Sequence, residues 1–116
     1  MVDNINMLEG IFGNKTAEKV LLHIFHHGES HAAVIAKDFS TAVNPVTRQL
    51  NRFELAGVIV SKISGRSRVY SFNPKSPFTK PVKEIIEKAY ESIPLSERQK
   101  MFEVRRRPRR KGKPVK

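Results

Sequence analysis

At Gly57 the apolar residues change their spacing from a helical repeat to a strand repeat. Upstream, Val46, Leu50 and Phe53 recur at four- and three-residue steps while Thr47, Arg48, Asn51 and Arg52 fall on other faces. This predicts an amphipathic helix with one apolar side and one hydrogen-bonding side. Asn44 followed by Pro45 marks its start, because Asn accepts from orphan amides and Pro needs no amide partner in the first turn; Thr41 is a competing cap. Gly57 suits the left-handed residue after the helix, with Val58 folding back onto Phe53. A helix from Pro45 to Ala56 is about 18 Å long, a length the major groove admits.

Downstream, Val58-Ile59-Val60-Ser61-Lys62-Ile63 and Arg68-Val69-Tyr70-Ser71-Phe72 are rich in β-branched and aromatic residues, with Ser64-Gly65-Arg66-Ser67 between them. The expectation is a hairpin with a four-residue loop, Gly65 supplying positive φ and Arg66 and Arg68 at or near the tip. Before the central helix, Ala17, Val20, Leu21, Ile24 and Phe25 form a stripe behind Thr16, a cap candidate, and Gly28 stops it. A shorter helix from about His31 to Phe39 carries Val34, Ile35 and Phe39, then turns through Ser40-Thr41-Ala42. Helix, helix, turn, helix, hairpin is the winged-helix order. The expected class is mainly α with a β-hairpin wing (α+β), a winged helix-turn-helix followed by C-terminal helices.

The segments Ile35-Ala36-Lys37-Asp38-Phe39, Val46 to Ile59 and Gly65 to Phe72 resemble small prokaryotic winged-helix regulators of the ArsR-like and MarR-like kind, over about residues 12–73. The resemblance implies a homodimeric transcriptional regulator. In it Asn44, Pro45, Thr47, Arg48 and Asn51 face DNA bases, and Arg52, Lys62, Arg66 and Arg68 meet phosphates. Arg48 suits guanine and Asn51 adenine. Two features depart from the pattern. Ser40 stands where the inter-helix turn usually has Gly, so either Ser40 is left-handed or the turn differs. The chain has no Cys, which removes thiolate metal ligands and a thiol switch.

Net charge is +11, but its placement carries the inference. Residues 105–116 hold eight basic residues and no acid, Arg105, Arg106, Arg107, Arg109 and Arg110 among them, leaving 14 basic against 11 acidic residues elsewhere. Within residues 44–68 five basic residues face only Glu54. The tail has one apolar residue, Val115, after its first Arg, so it cannot build a core. It is expected to be disordered when free and to act as a backbone-binding arm.

Three segments are therefore expected: residues 1–73 as the winged domain with an N-terminal helix, 74–104 as a helical extension, and 105–116 as the tail. In the extension, Val82, Ile85, Ile86, Ala89, Tyr90 and Ile93 form a stripe behind Thr79, which can cap their helix, and Ser96-Glu97-Arg98-Gln99 resembles a capping box. Ile5 and Leu8 belong to another apolar set near the N-terminus, with Ile11 and Phe12. The related regulators place terminal helices at the subunit interface, so Ile5, Leu8 and the stripe are expected there. Twofold symmetry would then set two recognition helices about 34 Å apart. The alternative is that residues 79–102 pack on their own subunit.

His23 and His27 stand one helical turn apart and imidazole can ligate Zn²⁺, but with no acid placed to orient them His23, His26, His27 and His31 are read as the polar side of the scaffold helix and the following turn, and no metal ligand or cofactor is assigned. No Gly-rich phosphate loop, Ser or Cys nucleophile pattern, or acid pair tied to a His occurs, so catalysis is not expected. No apolar run approaches the roughly 20 residues of a membrane span, and Asp3 and Glu9 spoil a secretory leader; a cytoplasmic protein is expected. The composition, 39% hydrophobic over 116 residues, supports one small core. The partners expected are duplex DNA and a second copy of the chain, with no small-molecule effector defined. Competing readings are a winged-helix protein-interaction or RNA-associated module, and an architectural DNA-binding protein of low sequence preference.

Overall fold

The scaffold helix starts at Asn14 rather than Thr16. In the computed structural model, which describes residues 5–103, Asn14 is extended and its Oδ1 accepts the Ala17 amide at 2.8 Å, satisfying one orphan donor of the first turn. Helix α2 then runs Lys15–His27, behind a short α1 (Ile5–Phe12). Next comes a strand that no periodicity announces, β1 (Glu29–His31), followed by α3 (Ala32–Asp38), which is shorter than expected at both ends.

Between α3 and the central helix, Ser40 adopts φ 56° and is the one non-glycine residue with positive φ among the described residues. The Ser40 amide donates to Lys37 and the Thr41 amide to Ala36, the paired bonds of a Schellman motif with its left-handed residue at Ser40. Of the two possibilities for this turn, the left-handed serine is the one adopted. Helix α4 spans Val43–Leu55 with Ala42 as its cap and no side-chain cap bond, so neither Asn44 nor Thr41 caps it. Pro45 sits inside the first turn, where a missing amide costs nothing. Its far end repeats the α3 device: Gly57 (φ 86°) donates to Glu54 and Val58 to Phe53, as expected.

Strands β2 (Ile59–Ser64) and β3 (Ser67–Phe72) form the hairpin, in register from Ile59 opposite Phe72 to Ser64 opposite Ser67. The loop is Gly65-Arg66 alone, two residues instead of four. Gly65 takes φ 63° at the first central position, as a type II′ turn requires. On its other side β3 pairs antiparallel with β1, giving a three-stranded sheet in the order β1-β3-β2.

Helix α5 (Thr79–Glu91) is preceded by Phe78, with no side-chain cap; Thr79 is buried instead. The short α6 (Leu95–Arg98) begins after Pro94, also without a side-chain cap, so the Ser96 capping box does not form. A wide π turn, Gln99–Glu103, closes the described chain.

One core joins helices α1 to α5, the sheet and the closing π turn. It includes Leu8, Leu21, Ile24, Ile35, Leu50, Ile59, Ile86, Ala89, Ile93 and Phe102. This corrects the expected subunit interface. Leu8 and Ile86 are 0% exposed and Ala89 and Ile93 1%, so their side chains are covered by their own subunit. Val82 and Tyr90 are half-buried against the same core, and Ile85 remains exposed; the Ile5 side chain lies outside the described part. Folding back is favourable because each fully buried aliphatic contributes about 1.5–3 kcal/mol.

The histidines also differ from expectation. His23 is fully buried, and its Nε2 lies 2.7 Å from Asp38 Oδ2, an acid brought in from α3. His26 Nδ1 is 2.7 Å from the Tyr90 hydroxyl, and its ring stacks on Phe102 at 4.6 Å. The polar face of α2 is therefore an internal seam against α3 and the C-terminal turn.

Candidate nucleic-acid interface

The two faces of α4 separate cleanly. Val46, Leu50 and Phe53 are buried, whereas Asn44, Arg48 and Asn51 are exposed, with Pro45 and Thr47 half-buried beside them. Residues 44, 48 and 51 are four and three apart, so one helical face carries all three. Val43, 44% exposed in the first turn, joins this end of the helix. The sequence reading misses it by starting the helix at Pro45. No acid lies in the first turn of α4 and no side chain caps it, which leaves its leading amides and the positive end of the helix dipole suited to an anion.

Of the four cations placed on phosphates in this region, Lys62 and Arg66 are exposed on the wing, Arg66 at its tip. Arg68 is exposed but tied inward. Its Nη1 donates to Ser61 Oγ at 3.0 Å, and Ser61 donates to Glu54 Oε2 at 2.6 Å. That relay fastens the wing to the last turn of α4. Burial pushes the neighbouring Tyr70 phenol above its ordinary pKa, an effect that Arg68 opposes and Glu54 reinforces.

Arg52 is engaged elsewhere. Its guanidinium donates to the Phe12 carbonyl at the end of α1 and covers the Phe53 ring at 5.2 Å. Phe12 and Phe53 meet edge to face at 5.9 Å. The charge expected on a phosphate thus caps α1. Residues 105–116, with Arg105, Arg106, Arg107, Arg109 and Arg110, lie outside the described residues.

The chain, with its scaffold helix, strand, two helices joined by a tight turn, and hairpin, is similar in fold to a solved chain. A MarR-family transcriptional regulator from Silicibacter pomeroyi superposes with a TM-score of 0.56 at 16% identity, over 83% of this chain and 70% of that one. The fold is a winged helix. An antimony-specific transcriptional repressor, AntR, is also similar, with a TM-score of 0.49 at 21% identity over 73% of this chain and 78% of that one. No family model and no curated protein matches the sequence. No helix among the described residues is long and apolar enough to cross a membrane.

Proposed function

We propose that this chain is a cytoplasmic, homodimeric transcriptional regulator that binds duplex DNA in a sequence-specific way. Helix α4 enters the major groove, where Asn44, Pro45, Thr47, Arg48 and Asn51 face the bases. The wing residues Lys62 and Arg66, together with the basic stretch 105–116, track the backbone, and Arg68, exposed but bonded to Ser61, reaches a phosphate only with the guanidinium nitrogens that this bond leaves over. The observation that carries this reading is the exposed row of Asn44, Arg48 and Asn51 on a helix whose opposite side is fully spent on the core. Arg and Asn can pair bidentately with guanine and adenine, which is where discrimination arises.

The test is selection from random duplexes at about 150 mM salt, with single-stranded DNA and structured RNA as competitors. An enriched inverted repeat with half-sites about 34 Å apart is expected. Arg48→Ala should then cost about 1–3 kcal/mol on the selected site and relax preference at one position. Equal weakening on every sequence would move Arg48 to the phosphate-binding set.

One observation supports a second reading. Leu55 at the end of α4 is 90% exposed and Ile63 on the wing 63%, two large apolar side chains open to solvent. A protein-interaction module would use them, and selection that enriches no duplex would favour it.

A further inference from the structure

We propose that His23, His27 and Asp38 form a binding site for a transition-metal ion of the zinc class at the junction of α2 and α3. His23 and His27 are one helical turn apart, so both rings leave the same face of α2. Asp38, the last residue of α3, closes the third side. One donor atom from each residue lies within 4.8 Å of the others, and His23 Nε2 is already 2.7 Å from Asp38 Oδ2. Tetrahedral zinc with bonds near 2.0–2.2 Å places its ligand atoms about 3.3 Å apart. His27, the partly buried member, closes the wider gap by turning its ring, and the His23–Asp38 pair opens slightly from 2.7 Å to admit the ion.

The donor chemistry narrows the ion. Two imidazoles and one carboxylate suit Zn²⁺ or Co²⁺, whereas hard ions such as Ca²⁺ want an all-oxygen shell and Cu⁺ wants thiolate or thioether sulfur. Three protein ligands leave a fourth position for water. The walls are apolar on one side: Phe102, itself fully buried, lies 6.1 Å from both the His23 and His27 rings, and Phe39 lies 6.0 Å from His23.

On the other side there is a way in. His27 lines a cavity of about 270 Å³ together with Glu29, Ser30, His31 and Val34, and His31 Nδ1 is buried there without a hydrogen-bond partner. A polar antechamber with an acid and an unsatisfied imidazole nitrogen, leading to His27, favours cation entry over a purely structural histidine–aspartate bond. Binding would exchange the proton held between His23 and Asp38 for the ion, because a metal-ligating imidazole and carboxylate must be deprotonated.

The experiment uses the full chain after chelator treatment, titrated with Co²⁺ and then Zn²⁺ alone, and does not depend on DNA binding. Expected are one equivalent of Co²⁺ per chain with a visible tetrahedral band, its displacement by Zn²⁺, and a rise in melting temperature with added metal. His27→Gln and Asp38→Asn should each weaken binding by at least about tenfold, while His26→Gln should not. Absence of saturable binding, or equal affinity in wild type and His27→Gln, overturns the site. If Asp38→Asn does not fold, histidine side-chain NMR of the wild-type protein decides. The His23 and His27 ring signals must shift with Zn²⁺ ahead of His26 and His31; any other order overturns the assignment.

Discussion

At Ser40 an L-residue occupies backbone space that favours glycine, and it does so because the Schellman bonds from Ser40 and Thr41 satisfy two carbonyls at the end of α3. The left-handed region costs a non-glycine residue about 1–2 kcal/mol, partly offset by the greater unfolded-state entropy of glycine. Ser40→Gly should therefore stabilise the fold by about 1 kcal/mol, read as a higher urea midpoint with unchanged m-value. A lower midpoint would show that the serine side chain contributes more than its backbone costs. Gly57 makes the same turn at the end of α4 and is readable in the sequence because glycine itself is the signal. Ser40 bears no such mark; the sequence shows only that a glycine is missing. The caps follow the same logic. Asn14 and Thr16 are both good cap residues two positions apart, and only the bond from the Ala17 amide distinguishes them.

Among the elements, α1 is held to α4 by Arg52, whose guanidinium reaches the Phe12 carbonyl across 40 positions of sequence. A charge-assisted bond to a helix C-terminus, with cation–π contact to Phe53, is worth about 1–2 kcal/mol. Arg52→Ala should lower stability by about that much and leave the salt slope of DNA binding unchanged. A slope that loses about one unit with no change in melting would return Arg52 to the phosphate set. Such a contact was not legible from the chain, since the exposed side of an amphipathic helix carries cations whether they cap a neighbour or face solvent. Likewise β1 has three residues, too few to show a period, and exists because β3 has a free edge to pair. The stripe of α5 was legible as a stripe. Its destination was not, because Ile86, Ala89 and Ile93 present the same pattern to their own core as they would to a second subunit.

At the scale of the whole molecule, that packing leaves a smaller apolar surface for self-association. Met7 and Ile11 on α1 and Ile85 on α5 are 41%, 54% and 36% exposed, and these two helices are in contact. If this is where two copies meet, Ile85→Glu should give a monomer by sedimentation while changing stability by no more than about 0.5 kcal/mol, as for an exposed site. A wild-type protein that is already monomeric at tens of micromolar would remove the dimer. Charge sets the other global property. Outside residues 105–116 the basic excess is only three, while that stretch adds eight positive charges. If all eight met phosphates, the salt slope of duplex binding would gain about −7, at roughly −0.9 per contact. Between about 50 and 200 mM salt that corresponds to an affinity change of roughly ten-thousand-fold, the upper bound for such an arm. Removing residues 105–116 should therefore flatten the slope and weaken all duplexes alike, leaving the preferred sequence unchanged, since in the proposed binding mode α4 reads the bases. A slope that survives the truncation would show that the tail does not touch the backbone. A changed sequence preference would show that it enters a groove.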